Sequence, residues 1–293
     1  MIDVCICTYR RQSIVQTIES LAAQKVLPDG QDIRVVVADN DIEPSARDAV
    51  EAACATAGLP LRYVHAPAQN ISIARNACLD AASAEWIAFI DDDECASGNW
   101  LDRLFAGSDQ SDIVFGISKA LIGKEDVAAW MADGSAHSNT LSGNDKIHNG
   151  YTCNVLMRRD FIVGAGLRFS LALGRTGGED TVFFDDARKA GARFHYAADA
   201  IVYEEIPDSR ANLGWLLRRR FRAGQIHCLL KRRNNELHLK AVSSGLAKAA
   251  YCAGLSVLMS FVPRRRAAAL MRGALHVGFL SSALGLRTYE EYR

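Results

Sequence analysis

Residues 86–94 read Trp86-Ile87-Ala88-Phe89-Ile90-Asp91-Asp92-Asp93-Glu94, a short apolar run that ends in four consecutive acids. Runs of this length, rich in aromatic and β-branched residues, are typical of buried strands. Four adjacent carboxylates are costly at the end of a strand unless a cation or several donors neutralise them. Hard divalent ions prefer carboxylate oxygens and commonly bridge to phosphates. The stretch therefore predicts a metal–phosphate site, and the alternative is an acidic loop that is merely solvated.

Strand-like and helix-like segments alternate on both sides of this run. Strands are predicted at 2–7, 33–38, 61–65, 112–118 and 151–157. Helices are predicted at 14–21, from near Pro44 to Ala57, and at 72–82. The polar stretch that follows residue 118, up to about residue 149, is left unassigned. Such alternation is typical of a largely parallel sheet, whose strands end at one shared edge. Asp39, which follows the second strand, is therefore expected close to Asp91, Asp92 and Asp93.

No glycine-rich phosphate loop of the Gly-x-Gly-x-x-Gly or Gly-Lys-Ser/Thr type occurs in the sequence. A nucleotide bound at this edge would need a metal and acids instead. A second acidic motif, Gly174-Arg175-Thr176-Gly177-Gly178-Glu179-Asp180, precedes a helical pattern. Glycines at a helix start allow the backbone to approach a ligand closely, and the helix dipole favours carboxylates there. The alternative is an acidic helix cap.

The chain of 293 residues is 49% hydrophobic, which suits one large domain or a domain with a substantial extension. Its zero net charge hides an asymmetry: residues 1–205 carry 18 basic and 30 acidic side chains, and residues 206–293 carry 16 and 4. This contrast predicts a metal-using body and a tail that faces nucleic acid or an anionic lipid surface. Eight cysteines without a Cys-x-x-Cys pair predict reduced, mostly buried thiols in a cytosolic protein, and no signal peptide is expected.

The tail contains two apolar stretches, 241–262 and 267–286, separated by Pro263-Arg264-Arg265-Arg266. Each is near the ~20 residues that span a bilayer. A hairpin of two spans, however, would place three arginines in the translocated loop, against the positive-inside rule. Helices that lie on the inner membrane face or pack on the body are therefore favoured. Nucleic acid is not the expected partner, because the basic clusters flank apolar runs instead of alternating with exposed aromatics.

Six motifs, in their order along the chain, resemble the family 2 glycosyltransferases, inverting enzymes of the GT-A fold. The motifs are Val4-Cys5-Ile6-Cys7-Thr8-Tyr9-Arg10, Val37-Ala38-Asp39-Asn40, Ala74-Arg75-Asn76, Phe89-Ile90-Asp91-Asp92-Asp93, Asn154-Val155-Leu156-Met157-Arg158-Arg159 and Gly178-Glu179-Asp180. The stretch 174–180 is especially similar to succinoglycan-type exopolysaccharide β-glucosyltransferases, which build repeat units on a polyprenyl carrier. The resemblance implies an α/β fold: a GT-A catalytic domain (1–205) with a nucleotide-sugar-binding, Rossmann-like mixed sheet, and a helical, membrane-associating C-terminal region (206–293).

The resemblance also implies a role for each motif residue. The nucleotide-binding set is Thr8, Tyr9, Arg10, Asp39, Arg75 and Asp92, with Asp39 accepting the uracil N–H and Asp92 the ribose hydroxyls. Asp93, with Asp91 as a second ligand, is implied to hold Mg²⁺ or Mn²⁺, which neutralises charge on the departing UDP. Asp180 is the implied general base, and Glu179 is implied to orient the acceptor.

Two departures from the family pattern bear on the details. Many relatives have a histidine near the end of the catalytic domain that helps hold the metal, whereas residues 201–205 here read Ile-Val-Tyr-Glu-Glu, with Glu204 as the candidate substitute. The Gln-x-x-Arg-Trp signature of processive synthases is also absent, which favours the addition of a single sugar.

Together these features predict a glycosyltransferase held peripherally at the cytoplasmic face of the inner (plasma) membrane. It would move one sugar, with glucose favoured, from a UDP-sugar to a polyprenyl-diphosphate-linked saccharide. Two alternatives stay open at this point. A nucleotidyltransferase would want a basic glycine-rich loop near the amino terminus, and a nucleotide-sugar-binding protein without catalysis would have no need of Asp93 and Asp180.

Overall fold

The computed structural model describes residues 1–24, 30, 32–140 and 149–286. Within them the strands are β1 (Ile2–Thr8), β2 (Ile33–Asp39), β3 (Leu61–His65), β4 (Trp86–Ile90), β5 (Glu94–Ala96), β6 (Ile113–Ile122), β7 (Asn154–Arg158) and β8 (Phe194–Ile206). The helices are α1 (Ile14–Ala22), α2 (Arg47–Ala57), α3 (Ile71–Ala81), α4 (Trp100–Phe105), α5 (Arg159–Gly164), α6 (Glu179–Lys189), α7 (Leu213–Arg233), α8 (Leu239–Leu258) and α9 (Pro263–Ala283). All eight strands belong to one sheet, in the order β3-β2-β1-β4-β7-β6-β8-β5.

The first half of this sheet is parallel. β1 pairs in parallel with β2 on one side, where Thr8 lies opposite Asp39, and with β4 on the other, where Cys5 lies opposite Phe89. The strand order therefore runs outward in both directions from β1. Open α/β sheets bind ligands in the crevice at such a switch point, beyond the carboxyl ends of the strands.

The second half of the sheet corrects the expectation that it is largely parallel. β7 runs antiparallel between β4 and β6, β5 is antiparallel to β8, and β6 pairs in parallel with β8, so the sheet is mixed, as the resemblance implied. β7 begins at Asn154 and not at residue 151, and β6 continues to Ile122. Part of the unassigned stretch, residues 141–148, lies outside the described residues.

The sheet carries a hydrophobic core on each face, because successive residues of a buried strand point to opposite sides. Val35 and Val37 of β2 join the cluster beneath α1 and α2, whereas Val36 joins the cluster beneath α3 and α6. All eight cysteines are free thiols, and six of them are buried. The two cores hold the sheet in place, and the polar motifs lie at the carboxyl ends of its parallel strands.

Three helices follow β8, and the first of them, α7, packs against the body. By length and composition alone, one helix among the described residues, α8, is able to cross a membrane, and 17% of its apolar window is buried. The predicted division after residue 205 remains a prediction, since α7 contacts both the tail and the body.

Candidate active site

The ends of β1 and β4 are joined across the switch point by a buried hydrogen bond. Thr8 Oγ1 donates to Asp92 Oδ2 over 2.8 Å, and both residues are largely shielded from solvent. The bond fixes the Asp92 carboxylate between the two strands. The sequence motifs of β1 and β4 are therefore brought together, as the parallel topology predicted.

Asp39, at the end of β2, is fully buried and organises the loop that follows it. Its carboxylate accepts hydrogen bonds from the backbone N–H groups of Asp41 and Ala46, both at 3.0 Å, and from the Tyr63 hydroxyl at 2.5 Å. These donors hold the loop after β2 in one conformation. The role of Asp39 toward a uracil ring stays a prediction.

Tyr9 and Arg10, which follow β1, are exposed beside the loop after β2. Arg10 adopts a left-handed φ of 55°, and its guanidinium lies 5.3 Å from the centre of the exposed Tyr9 ring. Arg10 Nε also pairs with Asp41 Oδ2 over 2.8 Å. This hydrogen bond lowers the pKa of Asp41 to about 2. Asp41 was not assigned a role from sequence, although it follows the Val-Ala-Asp-Asn motif.

Of the four acids after β4, Glu94 turns inward, away from the other three. Its carboxylate accepts hydrogen bonds from Ser118 Oγ at 2.6 Å and from the Asp91 backbone N–H at 3.1 Å. Burial raises its pKa well above the usual range. The four acids therefore do not form a single site, because Glu94 begins β5 and strand alternation turns its side chain into the protein.

The remaining acids carry more negative charge than their surroundings neutralise. Desolvation, opposed by Arg75 and aided by Asp93, raises the pKa of Asp91 to about 6. Desolvation likewise raises the pKa of Asp92 to about 7, against the influence of Arg11. Carboxyl groups in this state favour a cation beside them.

Arg11 is a residue of this cluster that sequence reasoning missed. Its guanidinium forms an ion pair with Asp93 Oδ2, and its Nε lies 3.6 Å from Asp92 Oδ1. The side chain is 41% exposed, so it lies at the mouth of the site. The only signal in the sequence was a second arginine directly after the first motif.

Among the described residues, no group of three His, Cys, Asp or Glu side chains is close enough to hold a metal ion alone. Desolvation, with Asp93 as the next cause, raises the pKa of Glu204 to about 7, and Glu204 Oε1 lies 3.5 Å from Arg210 NH1. Asp91 and Asp93 offer only carboxylate oxygens. This donor set fits Mg²⁺ or Mn²⁺, which usually take one or two carboxylates and complete their coordination with phosphate and water.

Arg75, on α3, links the two acidic motifs. It forms an ion pair with Glu179 Oε1, and its NH2 group lies 3.8 Å from Asp91 Oδ1. The guanidinium also lies 5.6 Å from the centre of the Phe169 ring. Glu179 Oε2 is buried without a hydrogen-bond partner. The structure thus brings together the motifs that follow β4 and that begin α6.

Asp180 lies beside Glu179 in the first turn of α6, after Gly177 and Gly178, whose φ angles of 79° and 90° suit glycine alone. Asp180 Oδ1 accepts from the Thr181 backbone N–H at 2.6 Å. Its Oδ2 has no hydrogen-bond partner among the described residues. Glu179 and Asp180 lie at the positive end of the helix dipole, where an acidic helix cap would also lie. They differ from a simple cap, because Glu179 pairs with Arg75 and Asp180 Oδ2 stays without a partner among the described residues.

Helix α7 packs against the glycines that precede α6, a contact that sequence reasoning did not predict. A Cβ added to Gly178 would lie 2.8 Å from Ile226, and one added to Gly177 would lie 3.6 Å from Arg222. Arg219 of α7 donates to the His137 carbonyl at 2.8 Å and to Asn139 Oδ1 at 2.6 Å. The basic start of the tail therefore packs beside the glycines that precede Glu179 and Asp180.

Comparison with known proteins gives this arrangement a family. The model described as "Glycosyl transferase family 2" matches residues 3–163. The chain is 42% identical over 296 residues to the succinoglycan biosynthesis protein ExoM of Rhizobium meliloti (strain 1021), covering 99% of this chain and 95% of that protein.

Solved structures of distant relatives show the same fold. The mannosyltransferase PcManGT from Pyrobaculum calidifontis, in complex with GDP-Man and Mn²⁺, has a TM-score of 0.63 at 18% identity over 96% of this chain and 86% of that one. S. aureus TarS 1–349 in complex with UDP has a TM-score of 0.56 at 17% identity over 100% of this chain and 96% of that one. This chain spans 56% of the longer TarS chain. The fold is thus the GT-A fold with a helical C-terminal extension, and the chain belongs to glycosyl transferase family 2 and is a glycosyltransferase.

Proposed function

We propose that the enzyme transfers a single sugar, with glucose favoured, from a UDP-sugar to a polyprenyl-diphosphate-linked saccharide, with inversion at the sugar carbon. The product would serve the assembly of exopolysaccharide or a related cell-surface glycan. The likeness to ExoM over nearly the full length of both chains supports the pathway. One observation carries the chemistry: Arg75 touches Glu179 and lies near Asp91, so a donor site and an acceptor site would share one guanidinium.

The donor half would be built from the ends of β1, β2 and β4. The pocket between Tyr9 and the loop held by Asp39 takes the uracil ring, and Asp92, fixed by Thr8, accepts from the ribose hydroxyls. Asp93, with Asp91 as a second ligand, would hold Mg²⁺ or Mn²⁺, and phosphate and water would complete the coordination. The bound ion neutralises charge that develops on the UDP diphosphate as it leaves.

The acceptor half would lie at the start of α6. The acceptor oxygen attacks the sugar carbon, the bond from that carbon to the diphosphate breaks with its electron pair remaining on UDP, and the hydroxyl proton passes to Asp180. The open Oδ2 of Asp180 suits this role. Glu179 is held by Arg75 and orients the acceptor hydroxyl. One base and one displacement produce inversion.

The tail would hold the enzyme peripherally at the cytoplasmic face of the inner membrane, where a lipid-linked acceptor is presented. Residues 206–293 carry 16 basic and 4 acidic side chains, which favours an anionic surface. Because α7 packs against Gly177 and Gly178, a docked tail would keep the loop before Asp180 close to that surface.

The donor class is tested by a panel of nucleotide-sugars. We expect Mn²⁺-dependent hydrolysis of UDP-sugars in preference to GDP-sugars, because Asp39 would accept the uracil N–H, and we expect UDP-glucose to be the fastest of them. Release of nucleotide from UDP-, GDP- and dTDP-sugars would be measured with and without Mn²⁺. Equal turnover of GDP- and UDP-sugars would contradict the assignment of the nucleoside pocket.

A further prediction concerns Arg11, whose guanidinium lies where it repels a cation approaching Asp93. Arg11→Gln should bind Mn²⁺ more tightly in the absence of UDP, by roughly tenfold, since a competing positive charge is removed. Titration of Mn²⁺ followed by electron paramagnetic resonance would measure this. The control is Arg47→Gln, which removes an exposed arginine paired with Glu51 on α2. An unchanged Mn²⁺ affinity in Arg11→Gln would place the metal away from Asp93.

A further inference from the structure

The tail helices form a layer in which α9 lies between α7 and α8. At the crossing of α7 and α9, a Cβ added to Gly224 would lie 1.9 Å from the Leu275 carbonyl oxygen, and one added to Gly278 would lie 1.9 Å from that of Phe221. On the other side of α9, a Cβ on Gly245 of α8 would lie 3.2 Å from the Phe279 ring. The backbones therefore approach closely, and α8 is the outermost helix.

The outer face of α8 is apolar and faces solvent. Leu239, Leu246 and Val257 are spaced by seven and eleven residues, which places them on one stripe of the helix. They are 89%, 63% and 74% exposed. The buried side of the helix, at Gly245 and Cys252, points the other way, toward α9. The stripe thus runs the length of a helix of 20 residues and stays exposed among the residues that the structure describes.

A basic corner follows this stripe directly. Phe261, which is 94% exposed, precedes Arg264, Arg265 and Arg266 in the first turn of α9. Arg264 lies 3.7 Å from the exposed Asp133, and no carboxylate of the described residues pairs with Arg265 or Arg266. From residue 237 to residue 286 the sequence has six basic residues and no acidic one.

We propose that the outer stripe of α8 and the corner 261–266 form one surface, the α8 face, that docks in the plane of an anionic lipid bilayer. The apolar stripe would enter the boundary between headgroups and acyl chains, and the arginines would contact the anionic headgroups. This inference deepens the proposed membrane association by naming the surface responsible, and it does not depend on which sugar is transferred.

Two other occupants fit the charges less well. If a second copy of the chain docked on this face, the two basic segments would face each other. They would repel, because residues 237–286 contain no acid that could pair with an arginine of the other copy. A spanning α8 would have to separate from α9 and lose the packing of Gly245 on Phe279 and of Gly273 on Cys252. The docked helix keeps both contacts.

The test is sedimentation of the full chain with two kinds of vesicle, one of phosphatidylcholine and one of phosphatidylcholine mixed with phosphatidylglycerol. The protein should bind the mixed vesicles and bind phosphatidylcholine alone much more weakly. The triple variant Arg264→Gln, Arg265→Gln and Arg266→Gln should partition roughly 100-fold more weakly into the mixed vesicles. Phe261→Ser should weaken binding at least roughly tenfold.

Matched controls separate the α8 face from general charge and hydrophobicity. Replacing the exposed Arg62, Arg103 and Arg168 of the body by Gln changes the net charge equally, and Val163→Ser removes an aliphatic side chain that is 60% exposed on α5. These controls should keep vesicle binding within about twofold of the parent chain. UDP binding, measured without vesicles, should be the same in every variant, so that a failure of sugar transfer is not mistaken for a failure of docking.

Three results would overturn the proposal. Binding that is equal on both vesicle types, or unchanged in the triple and Phe261 variants, would mean that the α8 face is not the docking surface. Resistance to alkaline carbonate with protease protection of one end would show a spanning helix instead. A dimer in solution that Phe261→Ser converts to a monomer would assign the face to a second copy.

Discussion

Asp180→Asn is expected to bind UDP and Mn²⁺ like the parent chain while its turnover falls by roughly 10²–10⁴-fold, the usual contribution of a general base. The amide has nearly the same shape as the carboxylate, and the hydrogen bonds of Asp180 go to Thr181 and not to the acids after β4, so the donor half should keep its geometry. Single-turnover transfer and calorimetric UDP binding would be measured on the same preparation.

The control for this variant is Asp186→Asn, which lies toward the C-terminal end of the same helix and whose carboxylate pairs with Arg233 at 2.8 Å. It should keep turnover close to that of the parent chain. Near-normal transfer by Asp180→Asn would mean that another group removes the proton, and Glu179 would be the first candidate because it lies beside Asp180.

Asp93→Asn is expected to lose the dependence of UDP binding on Mn²⁺ and to abolish transfer. Without this carboxylate the ion has one fewer charged ligand, and the diphosphate charge is less well neutralised; we expect the affinity for Mn²⁺ to fall at least roughly 10–100-fold. Arg11 would also lose its ion pair with Asp93 and become available to the diphosphate. Residual UDP binding in this variant should therefore be independent of the metal.

Calorimetry with and without Mn²⁺ would distinguish these cases, with Asp109→Asn, an exposed acid of the body, as the control. If UDP bound equally well in both conditions and the substitution changed nothing, Asp93 would not hold the metal. The two variants should therefore differ. Asp93→Asn should weaken the metal-dependent binding of UDP and abolish transfer, whereas Asp180→Asn should reduce turnover and leave UDP binding unchanged.

The parallel half of the fold was predictable because its sequence pattern is local. Each strand from β1 to β4 is an apolar run that ends in polar residues, and the alternation with helices implies that these ends share an edge. The meeting of Thr8 with Asp92 follows from that topology. Among the elements that sequence reasoning placed, those with a clear period and a polar end were positioned best.

The second half of the sheet, where parallel and antiparallel pairings are mixed, was not predictable in the same way. β5 has three residues and begins with Glu94, an acid that is acceptable in the interior only because Ser118 and a backbone N–H hydrogen-bond to it. Ser118 lies on another strand, so no pattern in the sequence around Glu94 indicates this hydrogen bond. Helix α7 next to Gly178 and the pairing of Arg11 with Asp93 are likewise contacts between distant parts of the chain, which composition and spacing do not encode.

A direct displacement assisted by the single base Asp180 inverts the configuration of the sugar carbon. The anomer of glucose that is first released from the donor therefore tests this mechanism. Proton NMR would follow hydrolysis of UDP-α-glucose with Mn²⁺ and identify the first glucose released, before mutarotation mixes the anomers. We expect β-glucose to accumulate first and Asp180→Asn to suppress its release. Initial release of α-glucose, or an even mixture from the start, would contradict this mechanism.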